Sequence, residues 1–282
     1  MTFVRPSCPD IVSLMQCQVC GHRFFDYSFS DAEMGRLYGE YRGEQYFLAR
    51  HQVEPWYGRS ANLANKDQIL IAARKASLLK FLRPLLPASR SGLVIADIGG
   101  DAGQFIPLEI ARASYLIEAS DQVPVQGVSR VTTMAALPDN PDLLVCAHVL
   151  EHLPSPVAFL ESHLGSPMIQ CGCFVYLEVP SERFEISSFL QSSFYFKYLR
   201  LLARFRLAVI VVDFLSVLAR AYLGRLFPPL IIKMHEHVNF FSVESLSVCI
   251  QSLGLELIAI SSECGSPLST HQGVIRALAQ KV

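Results

Sequence analysis

The sequence predicts an α/β fold with a doubly wound, mostly parallel sheet. From about residue 93 onward, short apolar or β-branched runs alternate with helix-like segments, which is the pattern of βαβ units. One of these runs leads into the glycine-rich stretch VIADIGGDAGQF, residues 94–105, which has the form of a strand, a tight turn and a helix start. The chain has 282 residues, of which 51% are hydrophobic, so it can bury a large core.

The predicted elements follow one another from an amphipathic helix into the sheet. Apolar residues recur at helical spacing over residues 65–86, and Pro84 marks the end of this helix. Strands are predicted in GLVIADI, SYLIEAS, RVTTM, DLLVCAHV, CFVYLEVP, LELIAIS and GVIRALA, with helices over residues 102–112 and around 157–164. Before LELIAIS, the segment SVESLSVCIQSLG predicts a helix with Ser242 as N-cap and Gly254 at its C-terminal end.

Charge and cysteine content exclude some classes of function. The 24 basic residues nearly balance the 25 acidic ones, and no basic block runs along the chain, so we predict no nucleic-acid partner. The eight cysteines and the lack of a long apolar run in MTFVRPSCPD predict a reducing, cytoplasmic location.

The glycine-rich loop indicates which kind of cofactor is bound. Gly99, Gly100 and Gly103 do not form the G-x-G-x-x-G fingerprint of dinucleotide sites. Asp97 and Asp101 place carboxylates where a pyrophosphate would lie, which disfavours an anion. The same carboxylates favour a ligand that carries an ammonium and a sulfonium group. S-adenosylmethionine is such a ligand.

The acid that follows the next strand fits the same ligand. Glu118 in LIEAS can accept hydrogen bonds from ribose hydroxyls, and Asp121 is the alternative. Together, DIGGDAG, LIEAS, LLVCAHVLEHLPSP and VYLEVP resemble the successive motifs of class I S-adenosylmethionine-dependent methyltransferases, over residues 63–282. The resemblance implies a Rossmann-like sheet of seven strands with the last one antiparallel. It also implies a glycine where this chain has Asp101.

Two segments with histidines are candidates for the acceptor side of the site. In CAHVLEHLPSP, His148 is a candidate for substrate contact, whereas Glu151 and His152 either close the pocket or hydrogen-bond within the turn. In MHEHVNFFS, Glu236 and His237 resemble the Glu-His pair of sugar C-methyltransferases, in which the histidine is the base.

The segment MHEHVNFFS also departs from the sugar C-methyltransferases. Met234 stands where they have a tyrosine, and the chain ends soon after its last strand, without their large C-terminal domain. His237 therefore stays open as a base, a substrate-orienting group or a structural residue. A metal site is not predicted there, because no further ligand joins His235 and His237 at a diagnostic spacing.

Residues 1–62 are predicted to form an appendage to the methyltransferase domain at residues 63–282. Within CQVCGHRFFD, Cys17 and Cys20 have the spacing of a zinc knuckle, with His22 as a substitute ligand, but Cys8 alone does not complete a site. The alternatives are bound structural zinc or packed thiols. The aromatic stretch that follows is either a lid over the site or packing against the main domain.

Residues 194–233 form a long apolar insertion after the fifth strand of the sheet. Charged residues interrupt every apolar run, so two helices are predicted and a membrane-spanning segment is not. Lys197, Arg200 and Arg204 fall on one side of the first helix. The insertion is a cap over the site, a homodimer contact or a peripheral contact with anionic lipid.

These observations predict an enzyme that methylates a small molecule: a sugar, a glycolipid or a secondary metabolite. The transfer is an in-line displacement, for which the protein chiefly aligns the reactants. An alternative is a methyltransferase-like binding or scaffold protein without turnover, since the glycine loop is irregular and the knuckle incomplete.

Overall fold

The computed structural model describes residues 13–26, 30, 32–33, 35, 43–63, 67–87, 92–118, 122–181, 193–202, 204–223, 237–263 and 273–282. The described strands are β1 (Leu14–Gln16), β2 (Arg23–Phe25), β3 (Leu93–Ile98), β4 (Ala111–Ile117), β5 (Ser129–Val131), β6 (Leu143–Ala147), β7 (Phe174–Pro180), β8 (Asn239–Phe240), β9 (Leu255–Glu263) and β10 (Val274–Lys281). The described helices are α1 (Glu44–Val53), α2 (Arg59–Asn62), α3 (Gln68–Leu82), α4 (Pro156–Leu164), α5 (Ser193–Leu202), α6 (Arg206–Leu223) and α7 (Val243–Ser252).

The large sheet has seven strands in the order β5-β4-β3-β6-β7-β10-β9. The five strands from β5 to β7 are parallel, whereas β10 runs antiparallel to both β7 and β9. The predicted Rossmann-like, mostly parallel seven-stranded sheet is therefore confirmed. The strand order reverses between β3, which pairs with β4, and β6, so a crevice opens beyond the carboxyl ends of these two strands.

Helices cover both faces of this sheet. On one face, Leu78 and Leu82 of α3 pack against strand residues such as Ile95. On the other, Leu160 of α4 and Leu246 of α7 join a larger apolar cluster with the opposite side chains of the same strands. Since both faces are covered, the central strands are apolar throughout, and every residue of β3 is buried.

The predicted helix over residues 102–112 is wrong. Turns occupy residues 101–105, a short 3₁₀ helix spans Leu108–Ile110, and β4 begins at Ala111. Gly103 has φ 73°, and Pro107 lacks the N–H that a helix interior needs, so the chain cannot continue a helix here. The connection between β3 and β4 is thus a tight loop.

The N-terminal appendage joins the main domain through a second, antiparallel sheet of order β1-β2-β8. Strand β8 lies between the insertion and α7, so β2 is paired with the segment that carries His237. The insertion contains the two predicted helices, α5 and α6. None of the described helices has the length and apolarity needed to cross a bilayer. Asp121, Glu236, Cys8 and residues 224–233 of the insertion lie outside the described residues.

Candidate active site

Asp97 lies near the end of β3, directly below the glycine-rich loop. Only 2% of the residue is exposed, and its Oδ1 accepts no hydrogen bond from the part of the chain that the structure describes. Burial raises the pKa of this carboxyl to about 7, although the charge of Arg74 opposes the shift. A buried carboxylate without a donor is costly, so a cationic group that reached Asp97 would be bound strongly.

Three glycines allow the loop after Asp97 to pack closely against its surroundings. A Cβ on Gly100 would overlap Asp97 Oδ2, so this position accepts no side chain while Asp97 keeps its place. Gly99 has φ 71°, and its Cβ would lie 2.7 Å from Val149 Cγ2. Gly103 has φ 73°. The loop after β3 therefore packs directly against the loop after β6, with its backbone open to a ligand.

Glu118 holds the glycine-rich loop from the end of β4. Its Oε2 accepts a hydrogen bond from Asp101 N at 3.0 Å. Asp101 has φ 60°, a left-handed conformation that glycine adopts freely and other residues rarely do. This explains why the resemblance implies a glycine at position 101. Gln104 Nε2 donates to Asp101 Oδ2 at 3.1 Å and keeps that side chain within the loop.

His148 follows β6 and stands between two buried glutamates. Its Nε2 lies 3.0 Å from Glu178 Oε1, and its Nδ1 lies 3.3 Å from Glu151 Oε1. The backbone at His148 is also constrained, with φ 58° and a hydrogen bond from its N–H to Glu178 O at 2.8 Å. Both ring nitrogens are engaged by carboxylates, so His148 is held in one orientation.

Glu178, in β7, is the centre of an ionic network. Its carboxylate is contacted by Arg74 Nη2 at 3.0 Å, Tyr176 OH at 2.6 Å, Arg276 Nε at 2.7 Å and His148 Nε2 at 3.0 Å. Burial acts to raise the pKa of Glu178, but the hydrogen bond with His148 and the charge of Arg74 hold it well below its usual range. The guanidinium of Arg74 also lies 4.0 Å from the centre of the Phe105 ring, which ties the network to the glycine-rich loop.

Glu151 belongs to a different arrangement, which we call the Glu151 cluster: Glu151, His152 and His237. Ligand-type atoms of these three side chains lie within 4.8 Å of one another. The two imidazole rings meet edge to face with centroids 4.8 Å apart. Burial acts to raise the pKa of Glu151, but the neighbouring imidazoles, above all His148, bring it down to about 2. The carboxylate is therefore charged in the folded protein.

Backbone contacts fix His237 beside Glu151. Val238 N donates to Glu151 O at 2.7 Å, and Asn239 Nδ2 donates to Leu153 O at 2.6 Å. Asn239 Oδ1 in turn lies 3.1 Å from His22 Nε2 in the N-terminal hairpin. The segment that starts at His237 is thus attached both to the turn after β6 and to the appendage.

Cys17 and Cys20 lie in the turn between β1 and β2. Cys17 N donates to His22 O at 2.8 Å, and Gly21, with φ 68°, donates to Cys17 O at 3.0 Å. Hydrogen bonds from the backbone of Cys20 and Val19 lower the pKa of the Cys17 thiol, as in a metal-binding knuckle. Among the described residues, however, no group of three metal-ligating side chains includes these cysteines. Zinc at this turn stays a prediction.

The aromatic stretch of the appendage contacts the insertion. Trp56 Nε1 donates to Ile210 O at 3.2 Å, and the Trp56 ring lies 4.6 Å from that of Phe214 in α6. Arg50 stacks on the Tyr57 ring at 3.9 Å. These contacts pack the stretch against α6 of the insertion, and its role as a lid stays a prediction.

The sequence predicted Asp97 and the glycines as site residues but did not include Arg74, Glu178 or the partners of His237. Glu178 had a signal, because an acid inside the apolar run FVYLEVP is unusual in a strand buried on both faces. Arg74 had none, since it lies on an ordinary amphipathic helix. The sequence also gave no signal for the contact of Glu151 and His152 with His237, because β8 brings together segments that are distant in sequence.

Comparison with known families supplies the class of the protein. Residues 70–260 match the family whose model is described as a methyltransferase domain. The match covers more than half of the chain, which therefore belongs to this methyltransferase family. The resemblance to class I S-adenosylmethionine-dependent methyltransferases is confirmed at that level.

Solved structures similar to this chain include several methyltransferases. Magnesium protoporphyrin IX methyltransferase from Synechocystis PCC 6803 with bound SAM has 14% identity, covers 91% of this chain and 100% of its own, and gives a TM-score of 0.48. A possible histamine N-methyltransferase from Thermotoga maritima has 13% identity, coverages of 82% and 100%, and a TM-score of 0.45. No curated protein sequence matches the chain.

Proposed function

We propose that this protein transfers a methyl group from S-adenosylmethionine to a small-molecule acceptor in the crevice between β3 and β6. The observation that carries the proposal is Asp97, whose buried Oδ1 accepts no hydrogen bond from the described residues. It lies beneath a loop that Gly100 keeps free of a side chain. A ligand with an ammonium group fits this arrangement, whereas the phosphates of a dinucleotide do not.

The donor would be held by residues of the glycine-rich loop and of the strand ends beside it. Asp97 binds the ammonium group, and Gly99 and Gly103 let the backbone approach the methionine part. Glu118, or Asp121 beyond it, accepts hydrogen bonds from the ribose hydroxyls, and Asp101 shapes the loop. When bound, the donor supplies an electrophilic methyl group on a sulfonium. The chain's own residues align the acceptor with it and exclude water.

The acceptor side would be formed by His148, Glu236 and His237. We assign His237 as the residue that takes the acceptor's proton or orients the acceptor, with Glu236 beside it, because this pair resembles the Glu-His pair of sugar C-methyltransferases. His148 serves as a positioning residue, since both its ring nitrogens face carboxylates. The acceptor that we propose is a sugar, a glycolipid or a secondary metabolite.

Donor binding can be tested by isothermal titration with S-adenosylmethionine and S-adenosylhomocysteine. We expect saturable binding of both, weakened by about tenfold to a hundredfold in Asp97→Asn, because a buried charge-assisted contact is lost. Asp139→Asn, an exposed acid outside the crevice, is the matched control and should bind like the wild type. Absence of binding at millimolar donor would favour the alternative of a scaffold protein without turnover.

Turnover can be tested with a radiolabelled methyl donor and a panel of sugars, glycolipid extracts and secondary metabolites. With an accepted substrate, His237→Ala should lose most of its kcat while it keeps donor affinity, since His237 acts on the acceptor side. Full activity in His237→Ala would remove His237 from catalysis.

The insertion supports a lipid-linked acceptor as the second candidate. Helices α5 and α6 and the turn between them expose a set of large apolar side chains, Phe194, Leu201, Phe205, Leu207 and Val211, near the exposed cations Lys197, Arg200 and Arg204. Such a surface suits peripheral contact with anionic lipid. Flotation with phosphatidylserine vesicles should recover the wild type but less of a Lys197→Glu, Arg200→Glu variant, with Lys80→Glu on α3 as control. Equal recovery, or dimerisation through this face in sedimentation, would contradict lipid contact.

A further inference from the structure

The carboxylate of Glu151 is buried and lacks a well-aligned hydrogen bond from the described residues. Only 1% of the residue is exposed, and neither Oε1 nor Oε2 accepts a hydrogen bond from any residue that the structure describes. His148 and His152 approach Oε1 to 3.3 and 3.7 Å. A buried carboxylate is normally hydrogen-bonded or coordinated to a metal ion, because an uncompensated charge in the interior is costly.

The side chains around Glu151 have the composition of a metal site. The Glu151 cluster supplies one carboxylate and two imidazoles, with ligand atoms that lie within 4.8 Å of one another. Around a tetrahedral ion with bonds of about 2.1 Å, neighbouring ligand atoms are about 3.4 Å apart. The ligand atoms would therefore approach one another by up to about 1.4 Å when the ion binds. We propose that Glu151, His152 and His237 bind a divalent transition-metal ion or zinc.

The local structure organises these ligands in advance. Glu151 and His152 lie in one 3₁₀ turn, Leu150–His152, directly after β6. Val238 N donates to Glu151 O, and Asn239 Nδ2 donates to Leu153 O, so His237 stays beside that turn. His148, 3.3 Å from Glu151 Oε1, orients the carboxylate. A site whose ligands are held in place by the backbone and by neighbouring side chains binds its ion more tightly than a mobile one.

The ligand types select the ion. Two imidazoles and one carboxylate suit zinc, cobalt, iron or manganese, whereas calcium and magnesium prefer sites made of oxygen atoms. Three protein ligands leave coordination positions for water or for an oxygen of another molecule, as in catalytic zinc sites.

If the proposed methyltransferase function holds, the ion narrows the class of acceptor. A hydroxyl oxygen bound to the ion would have a lowered pKa and would release its proton to water, so a hydroxyl-bearing acceptor would be favoured. As a ligand, His237 would orient the acceptor through the ion and would not take its proton. The binding of the ion itself does not depend on that function and is therefore tested without donor or acceptor.

The test is titration of the metal-free full chain with Co²⁺, followed by visible absorption, and with Zn²⁺, followed by calorimetry. We expect one ion per chain, with bands of nitrogen and oxygen ligation and much weaker binding of Mg²⁺. Glu151→Gln and His237→Ala should each weaken Zn²⁺ binding by at least about a hundredfold, since two ligands do not hold the ion. Circular dichroism checks that both variants are folded, and His237, which is only partly buried, is the safer of the two.

Two controls separate this site from other ligands in the chain. His51→Ala, an exposed histidine in α1, should bind Co²⁺ and Zn²⁺ like the wild type. The Cys17→Ser, Cys20→Ser double variant should keep the nitrogen and oxygen bands, because the knuckle is a separate feature. The proposal is overturned if millimolar Co²⁺ and Zn²⁺ do not bind, if Glu151→Gln and His237→Ala bind normally, or if only the cysteine variant loses the ion.

Discussion

Glu151 and Glu178 are two buried glutamates at the same edge of the sheet, and His148 contacts both. Each is 1% exposed. Glu178 has hydrogen bonds with Arg74, Tyr176, Arg276 and His148. Glu151 has none within the described part of the chain. Residue type and burial therefore do not distinguish a structural carboxylate from a ligand-binding one, whereas hydrogen-bond satisfaction does.

The largest effect should appear when the two glutamates are replaced by glutamine. Glu178→Gln leaves the buried guanidinium of Arg276 with only the largely exposed carboxylate of Glu263 as countercharge, which should cost about 3 to 5 kcal/mol of unfolding free energy. Glu151→Gln, in metal-free protein, removes a carboxylate that faces imidazoles and leaves no buried guanidinium without its countercharge, so it should cost less. Urea unfolding of both variants measures the difference. Equal losses of unfolding free energy would show that hydrogen-bond satisfaction does not distinguish Glu178 from Glu151.

Asp97 is a third buried acid, and it makes the free energy of unfolding depend on pH. Its pKa is raised from 3.8 to about 7, so between these values the folded protein holds a proton that the unfolded chain has released. Asp97 therefore contributes its full stabilisation of the folded state below pH 3.8. This contribution to the free energy of unfolding, about 4 kcal/mol at most, is lost as the pH rises through about 7.

The measurement for Asp97 is the difference in unfolding free energy between the wild type and Asp97→Asn, taken without donor from about pH 5 to about pH 8. The wild type should lose stability relative to Asp97→Asn as the pH rises. Glu178 and Glu151 titrate in both proteins and cancel. A flat difference would mean that Asp97 is ionised throughout.

Gly100 tests whether the space above Asp97 matters for the donor. In Gly100→Ala the added Cβ overlaps Asp97 Oδ2, so the carboxylate must move. Affinity for S-adenosylmethionine should fall by at least about tenfold, equal to 1.4 kcal/mol. Gly35→Ala, where a Cβ meets nothing within 4 Å, is the matched control. Similar affinities in the two variants would separate Asp97 from donor binding.

The smallest effect belongs to the exposed end of the Glu178 network. Glu263 Oε2 lies 2.7 Å from Arg276 Nη1, but the Glu263 side chain is 57% exposed. Solvent screens such a pair, so Glu263→Gln should cost less than about 1 kcal/mol in the same urea experiment. A loss as large as that of Glu178→Gln would contradict the view that the buried contact holds Arg276.

Much of the fold was predictable from local pattern. The run LVIADI could only be a strand buried on both faces, and the helix at Val243–Ser252 begins at its predicted N-cap, Ser242. The helix predicted over residues 102–112 does not form, because Gly103 has a positive φ and Pro107 lacks the N–H that a helix interior needs. The domain boundary at residue 62 stays a prediction, and β2 pairs across it with β8.

One part of the candidate site was also predictable from the sequence, and the other part was not. The sequence by itself determined the residues of the proposed donor side, because Asp97, the glycines and Glu118 lie at the ends of neighbouring strands and the strand pattern fixes their order. Only the tertiary structure decided the acceptor side. His237 lies beside Glu151 and His152 since Val238 and Asn239 bind the turn after β6, and Arg74 reaches Glu178 since α3 packs on that face of the sheet. Contacts between distant segments depend on packing, which leaves no periodic signal in the sequence.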